Sequence, residues 1–163
     1  MTSFTDELSA ALQASPLGAG LSAAQLATLA EVVRLATFKA GDVLAREGRT
    51  DDHLVAVVEG TLNVVKGIDG EQPEILATLK SGRLAHELGF LDGSERYASL
   101  VATEATRVLL LERAGLEGLI ERAPQVLYHV MCAIVRSAHL AQTRMAMQAS
   151  ELTNYIVKQH GRY

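Results

Sequence analysis

Apolar positions along the chain change their spacing twice, and the two changes divide it into three parts. In residues 1–31, Phe4, Leu8 and Leu12 recur at the spacing of one helical face until Ser15-Pro16-Leu17-Gly18 breaks the run. Ser22 then stands as the N-cap of a second helix that carries Leu26 and Leu29. From residue 32 to 112 the pattern becomes short runs rich in β-branched residues: 32–38, 43–47, 54–59, 61–66, 74–79, 96–102 and 106–111. Turn residues lie between them, among others Lys39-Ala40-Gly41-Asp42, Glu59-Gly60, Ile68-Asp69-Gly70 and Ser81-Gly82. Strands this closely spaced predict a sandwich or barrel rather than a parallel sheet with crossover helices.

Beyond Arg113 the helical spacing returns. A short helix over roughly 114–122 is separated by Pro124 from a longer one. Pro124 suits the first position of that helix, where a missing N–H costs nothing. No Gly or Pro follows until Gly161, so the long helix is expected over 124–158, ~50 Å at ~1.5 Å per residue. Along it Leu127, Met131, Ile134, Ala138, Ala141, Met145, Gln148 and Leu152 alternate spacings of four and three, which is a heptad seam. These eight residues are expected to form the interface of a two-helix coiled coil between identical subunits. Ala138 and Ala141 permit close approach there, and Gln148 fixes the register. The alternative is a helix that lies along its own barrel. Residues 159–163, basic and aromatic, are expected to be a solvated tail.

The fold class that follows is α+β, mainly β: N-terminal helices over 1–31, a β-barrel over 32–123, and a long C-terminal dimerisation helix. A chain of 163 residues with a hydrophobic fraction of 48% suits one domain with one core. Aromatic residues are only 4% and Trp is absent, so that core must be built from Leu, Val, Ile and Ala. Net charge of −4 and a pI of 5.7 argue against a surface made to attract nucleic acid.

Candidate chemistry narrows further. Cys132 is the single cysteine, which rules out an intramolecular disulfide and reads as a packed thiol. The five histidines show no metal-ligand spacing. Gly18-Ala19-Gly20-Leu21-Ser22-Ala23 imitates a dinucleotide fingerprint, but no strand precedes it, and a helix–helix turn is the better reading. His86-Glu87 opens like a zinc-protease motif, yet position 90 is Phe90 where the second histidine is needed. No nucleophile–base pair stands out, so an enzyme is not expected. No apolar run approaches the ~20 residues that span a bilayer, and the first twenty residues carry no secretory pattern. A soluble, cytoplasmic protein is the expectation.

One segment, 82–99, gathers what a ligand site needs: Gly82-Arg83-Leu84-Ala85-His86-Glu87-Leu88-Gly89-Phe90-Leu91-Asp92-Gly93-Ser94-Glu95-Arg96-Tyr97-Ala98-Ser99. An acidic residue opens a one-turn helix, a tight loop follows, and an arginine begins the next strand. Free N–H groups at the start of the turn and the planar fork of Arg96 suit an anion. Glu87 can accept from a sugar hydroxyl. The bland alternative is a Glu87–Arg96 salt bridge that merely closes a loop.

The segment resembles the phosphate-binding cassette of cyclic-nucleotide-binding domains, especially the bacterial catabolite-activator type. That cassette reads Gly-Glu-Leu-(small)-Leu, a variable loop, then Arg-(Ala/Ser)-Ala-(Thr/Ser). Upstream, Phe38-Lys39-Ala40-Gly41-Asp42-Val43-Leu44, Glu47-Gly48, Asp51 or Asp52, and Val57-Val58-Glu59-Gly60 resemble the family's first strands. The resemblance covers about 22–148. It implies a double-stranded β-helix, or jelly-roll, with Glu87 on a ribose 2′-hydroxyl and Arg96 on a cyclic phosphate. The backbone of Leu88 and Ala98 would lie near that phosphate, and the ligand implied is cyclic AMP or another cyclic nucleotide.

The chain departs from the pattern at three places. His86 replaces the glycine before the glutamate. Tyr97 replaces the small residue after the arginine, and its ring is expected in the phosphate pocket. Ala141-Gln142 stands where the activator presents Thr-Ser to the base, which leaves Gln142 or Thr143 to reach it. After residue 150 about a dozen residues remain, too few for a helix-turn-helix module. The resemblance therefore implies a homodimeric sensor without a DNA-binding domain, whose ligand shifts the long helix and signals to a protein partner. The competing expectation is a ligand-free scaffold in which His86 and Tyr97 close the pocket. A third keeps the pocket for cyclic di-guanylate or another anion.

Overall fold

Leu54, Val55, Ala56 and Val57 are consecutive and all buried. Neighbouring residues of a strand point to opposite faces, so both faces of this one must be covered. The computed structural model, which describes residues 4–160, shows how. The ends of the expected N-terminal segment and tail, residues 1–3 and 161–163, lie outside the described residues.

The elements run α1 (Phe4–Ala14), α2 (Ala23–Ala30), β1 (Val33–Phe38), β2 (Val43–Ala45), β3 (His53–Glu59), β4 (Thr61–Lys66), β5 (Glu74–Lys80) and β6 (Leu84–Ala85). Then follow α3 (Glu87–Asp92), β7 (Ser99–Ala102), β8 (Thr106–Glu112), α4 (Arg113–Glu117), α5 (Leu119–Arg122) and α6 (Pro124–His160). One antiparallel sheet has the order β1-β8-β3-β6, the other β2-β7-β4-β5. Apart from the hairpin of β4 and β5, successive strands alternate between the two sheets, which is the jelly-roll arrangement.

Both faces of β3 and β8 are covered because they sit between two cores. Val55, Val57, Val108 and Leu110 fill the barrel with Leu62, Leu100 and Ala102 of the opposite sheet. Leu54, Ala56, Leu109 and Leu111 face outward against the helices, meeting Leu12, Leu29, Phe90, Leu119, Val130 and Ile134. Each fully buried Leu or Ile among these contributes about 2 kcal/mol.

Ser22 caps α2 as its sequence indicates, its hydroxyl accepting from the Gln25 N–H while the Gln25 side chain accepts from the Ser22 N–H. The β3–β4 turn requires Gly60, which has φ +85° and whose Cβ would stand 2.5 Å from Thr106 Oγ1. The Gly18–Ser22 segment is the expected turn between helices.

Several expectations are corrected. The run 96–102 is strand only from Ser99, and the run 43–47 only to Ala45. The two-residue strand β6, inside the cassette, has no counterpart among the predicted runs. The short helix is two, α4 and α5. Ile134, assigned to the dimer seam, is 0% exposed and belongs to the chain's own core with Val126, Val130 and Ala133. Leu127 and Met131 pack partly against that same core. The first part of α6 therefore lies on the barrel. From His139 to Gln159 every residue is exposed, Ala141, Met145, Gln148 and Leu152 included. No helix among the described residues is long and apolar enough to cross a membrane.

Candidate functional site

Arg96 is 3% exposed, a rare position for a guanidinium. Its backbone fixes it there, for its N–H donates to the Arg49 carbonyl at 2.9 Å and its carbonyl accepts from the Gly48 N–H at 2.8 Å. One terminal nitrogen of the side chain donates to Asp51 Oδ2 at 3.0 Å and to the His53 carbonyl at 3.3 Å. The Nε of Arg96 is buried and has no partner. Burial pulls the guanidinium below its ordinary value and Asp51 opposes that; it remains a cation.

Asp51 is positioned by the start of β3. Its Oδ1 accepts from the His53 N–H at 2.8 Å and lies 2.9 Å from His53 Nδ1. Burial works to raise its pKa, but the His53 hydrogen bonds and the Arg96 charge outweigh it and hold the carboxyl below 3.8. Asp52 takes a different partner, Arg113, which also donates from Nε to the Phe90 carbonyl at 2.7 Å. Of the two aspartates singled out by the resemblance, Asp51 serves the site and Asp52 braces α3.

Glu87 opens α3, and its Oε1 accepts from Ser137 Oγ of α6 at 2.6 Å. Glu87 and Arg96 thus have separate partners rather than each other. Before Glu87, His86 is the N-cap of α3 with φ 67° and ψ 33°, the left-handed region. Its ring lies against Gly89, and its Nε2 is buried without a partner. Burial first, and the Arg96 charge second, hold the imidazole below its ordinary 6.5.

The remaining predicted residues separate. Ala98 is buried, whereas Leu88 is exposed. Tyr97 is corrected: it is 71% exposed, with Lys66 Nζ 4.2 Å from the centre of its ring, so the ring stands outside rather than in the pocket. Lys66 also donates to the Tyr97 carbonyl at 2.9 Å and pairs with Glu47. The hydrogen bond from Lys66, and next that from the Gly67 N–H, lower the Glu47 pKa. Gln142 and Thr143 are exposed on α6; the α6 residue that reaches the site is Ser137. Sequence reasoning missed Ser137 and left Asp51 undecided. Ser137 continues the barrel-facing stripe of Val126, Val130 and Ile134 at helical spacing, which is the signal that locates it.

The arrangement brings a buried cation with a free donor, a carboxylate and an imidazole around one end of the barrel. That set suits an anion that also carries hydroxyl groups. Among the described residues no group of His, Cys, Asp and Glu has metal-site geometry.

Residues 35–123, which include Asp51, His86, Glu87 and Arg96, match the cyclic nucleotide-binding domain. The chain belongs to that family, and the solved structures it resembles include the catabolite activator protein of Thermus thermophilus. It is 28% identical over 140 residues to the cyclic AMP receptor protein of Thermus thermophilus, covering 86% of this chain and 65% of that one. The chain therefore spans somewhat less than two thirds of that relative's length. The N-terminal domain of a transcriptional regulator from Streptomyces coelicolor is 30% identical, with TM-score 0.66 over 84% of this chain and 94% of that one. A cyclic nucleotide-binding domain from Methylobacillus flagellatus shares the fold at 23% identity, with TM-score 0.74 over 90% of this chain and 82% of that one.

Proposed function

We propose that this chain is a cytoplasmic regulatory sensor that binds a cyclic nucleotide at Arg96 and Glu87 and signals through α6. The observation that carries the reading is Arg96: a guanidinium 3% exposed, held by Asp51 on one nitrogen, with a buried Nε left for an acceptor. A cyclic phosphate is such an acceptor, and Glu87 stands ready for the ribose hydroxyl. The Thermus relative's name, cyclic AMP receptor protein, supports the ligand class.

The signal has a route. Glu87 is bonded to Ser137, so a hydroxyl that recruits Glu87 competes with the tie between α3 and α6. Ligand then biases the placement of the long helix. The exposed apolar residues of its distal part, Met145, Leu152, Ile156 and Val157 among them, favour a second copy of the chain as the receiver of that change.

Calorimetric titration with cyclic AMP, cyclic GMP and cyclic di-guanylate tests the reading, with Arg96→Ala as control. The expected result is binding of a cyclic mononucleotide that Arg96→Ala weakens by at least about 2 kcal/mol. No heat with any of the three, or affinity unchanged in Arg96→Ala, overturns it.

A further inference from the structure

We propose that His86 is a second donor of the ligand site, placing its imidazole on the same anion as Arg96 and taking up a proton as the ligand binds. This rests on the reading of Arg96 above and adds a role for the residue that replaces glycine in the cassette.

The geometry makes His86 unusual in two independent ways. Among the described residues it is the one non-glycine with positive φ, a conformation that L-residues adopt rarely. Its ring is also held firmly, because Gly89 leaves room for it beside α3. Within that packing Nε2 is buried and unpartnered, as is Nε of Arg96. These are the two buried side-chain nitrogen or oxygen atoms without a partner among the described residues, and both residues meet Asp51, Arg96 at its Oδ2 and the His86 imidazole at its backbone. Buried polar atoms nearly always have partners, so two orphans on residues that share Asp51 as a neighbour point to one missing acceptor.

The charged groups that act on His86 come from three segments. Arg96, before β7, disfavours the imidazolium; Asp51, before β3, and Asp92, on α3 itself, favour it and are outweighed by Arg96 together with burial. A phosphodiester between Arg96 and His86 reverses that balance. It offsets the guanidinium and supplies an acceptor for Nε2, so the protonated imidazole becomes the better partner. The proton comes from solvent and no covalent bond changes. Affinity must then rise as pH falls through the interval between the free and liganded pKa of His86, by up to about tenfold for each unit that separates them. The site so built takes anions; an uncharged nucleoside gains nothing from either donor.

The test is titration calorimetry with cyclic AMP at about pH 8 and about pH 6, spanning the ordinary histidine range, in buffers of different ionisation enthalpy. Wild type, His86→Gly, His86→Asn and Arg96→Lys are compared. Glycine and asparagine both accept the left-handed backbone, so neither substitution threatens the fold. Wild type is expected to take up protons and bind several-fold tighter at the lower pH. His86→Gly should lose both the uptake and affinity, and His86→Asn should lose the uptake while retaining more of the affinity. If His86→Gly matches wild type in affinity and proton count while Arg96→Lys weakens binding, the role of His86 is wrong and the Arg96 site stands. If wild type binds nothing, or Arg96→Lys binds as wild type does, both fall.

Discussion

Gly89 has no side chain at the point where the His86 ring rests on α3: a Cβ there would stand 2.1 Å from the imidazole Cε1. The two residues are three apart, and each fixes what the other is allowed to be. Gly89→Ala must expel the ring, at an expected loss of about 1–3 kcal/mol. Adding His86→Gly to it should restore most of that stability. Denaturant unfolding of the two single variants and the double variant measures the coupling, and additive effects would contradict the interlock.

Asp51 answers a buried charge, and its loss leaves Arg96 uncompensated. Asp51→Ala is expected to cost about 3–5 kcal/mol, because a buried ion that loses its partner retains its desolvation penalty. Asp52→Ala, which breaks a more exposed pair with Arg113, should cost about 1 kcal/mol or less. Equal losses in the two variants would contradict the assignment of Asp51 to the site.

Two residues of one heptad seam should answer to different measurements. Ile134 is enclosed in the chain's own core, so Ile134→Ala should lower folding stability by about 2–5 kcal/mol. Leu152 is bare, and Leu152→Ala should leave the fold of the single chain intact while shifting a dimer toward monomer. Thermal melting read beside sedimentation equilibrium separates the two effects. A Leu152→Ala variant with unchanged mass would remove this residue from the interface.

Acid should weaken the fold through two groups in sequence. His86 has a folded pKa below its ordinary 6.5, so the unfolded chain binds the extra proton. Its contribution is therefore complete above 6.5 and declines as pH falls through the lower folded value. Asp51, depressed below 3.8, repeats the pattern at lower pH, its contribution declining as pH falls from 3.8 through its folded value. Melting temperature against pH should fall less steeply in His86→Gly than in wild type over the first interval. Parallel curves would mean that His86 is not held neutral.

Most of the barrel was legible because its signals are local. Thr61–Lys66 forms strand with the limits that its β-branched run marks, and Ser22 and Gln25 cap α2 as their spacing indicates. The strand Leu84–Ala85 was not legible, because two residues carry no periodicity and only pairing with Val55 and Ala56 makes them a strand. On α6 the spacing of three and four is shared by a coiled-coil seam and by a helix lying on its own barrel. Ile134 follows the second rule and the exposed Met145 and Leu152 leave the first available. Within the site, Arg96 and Glu87 stood out by their cassette, but Asp51 lies 45 residues from Arg96 and Ser137 lies 50 from Glu87. Those partners come from chain crossings, not from any local pattern. Tyr97 was misplaced for the same reason: what holds its ring outside is Lys66, on another strand.

Binding of a nucleotide at this site turns on the buried Nε of Arg96, which has no partner within the chain. The most direct measurement is the NMR signal of the Arg96 Nε–H group, assigned through Arg96→Lys, in free protein and with cyclic AMP added. The nucleotide is expected to shift this resonance and slow its exchange with water, as a new charge-assisted hydrogen bond requires. A resonance that does not move at saturating nucleotide would contradict it.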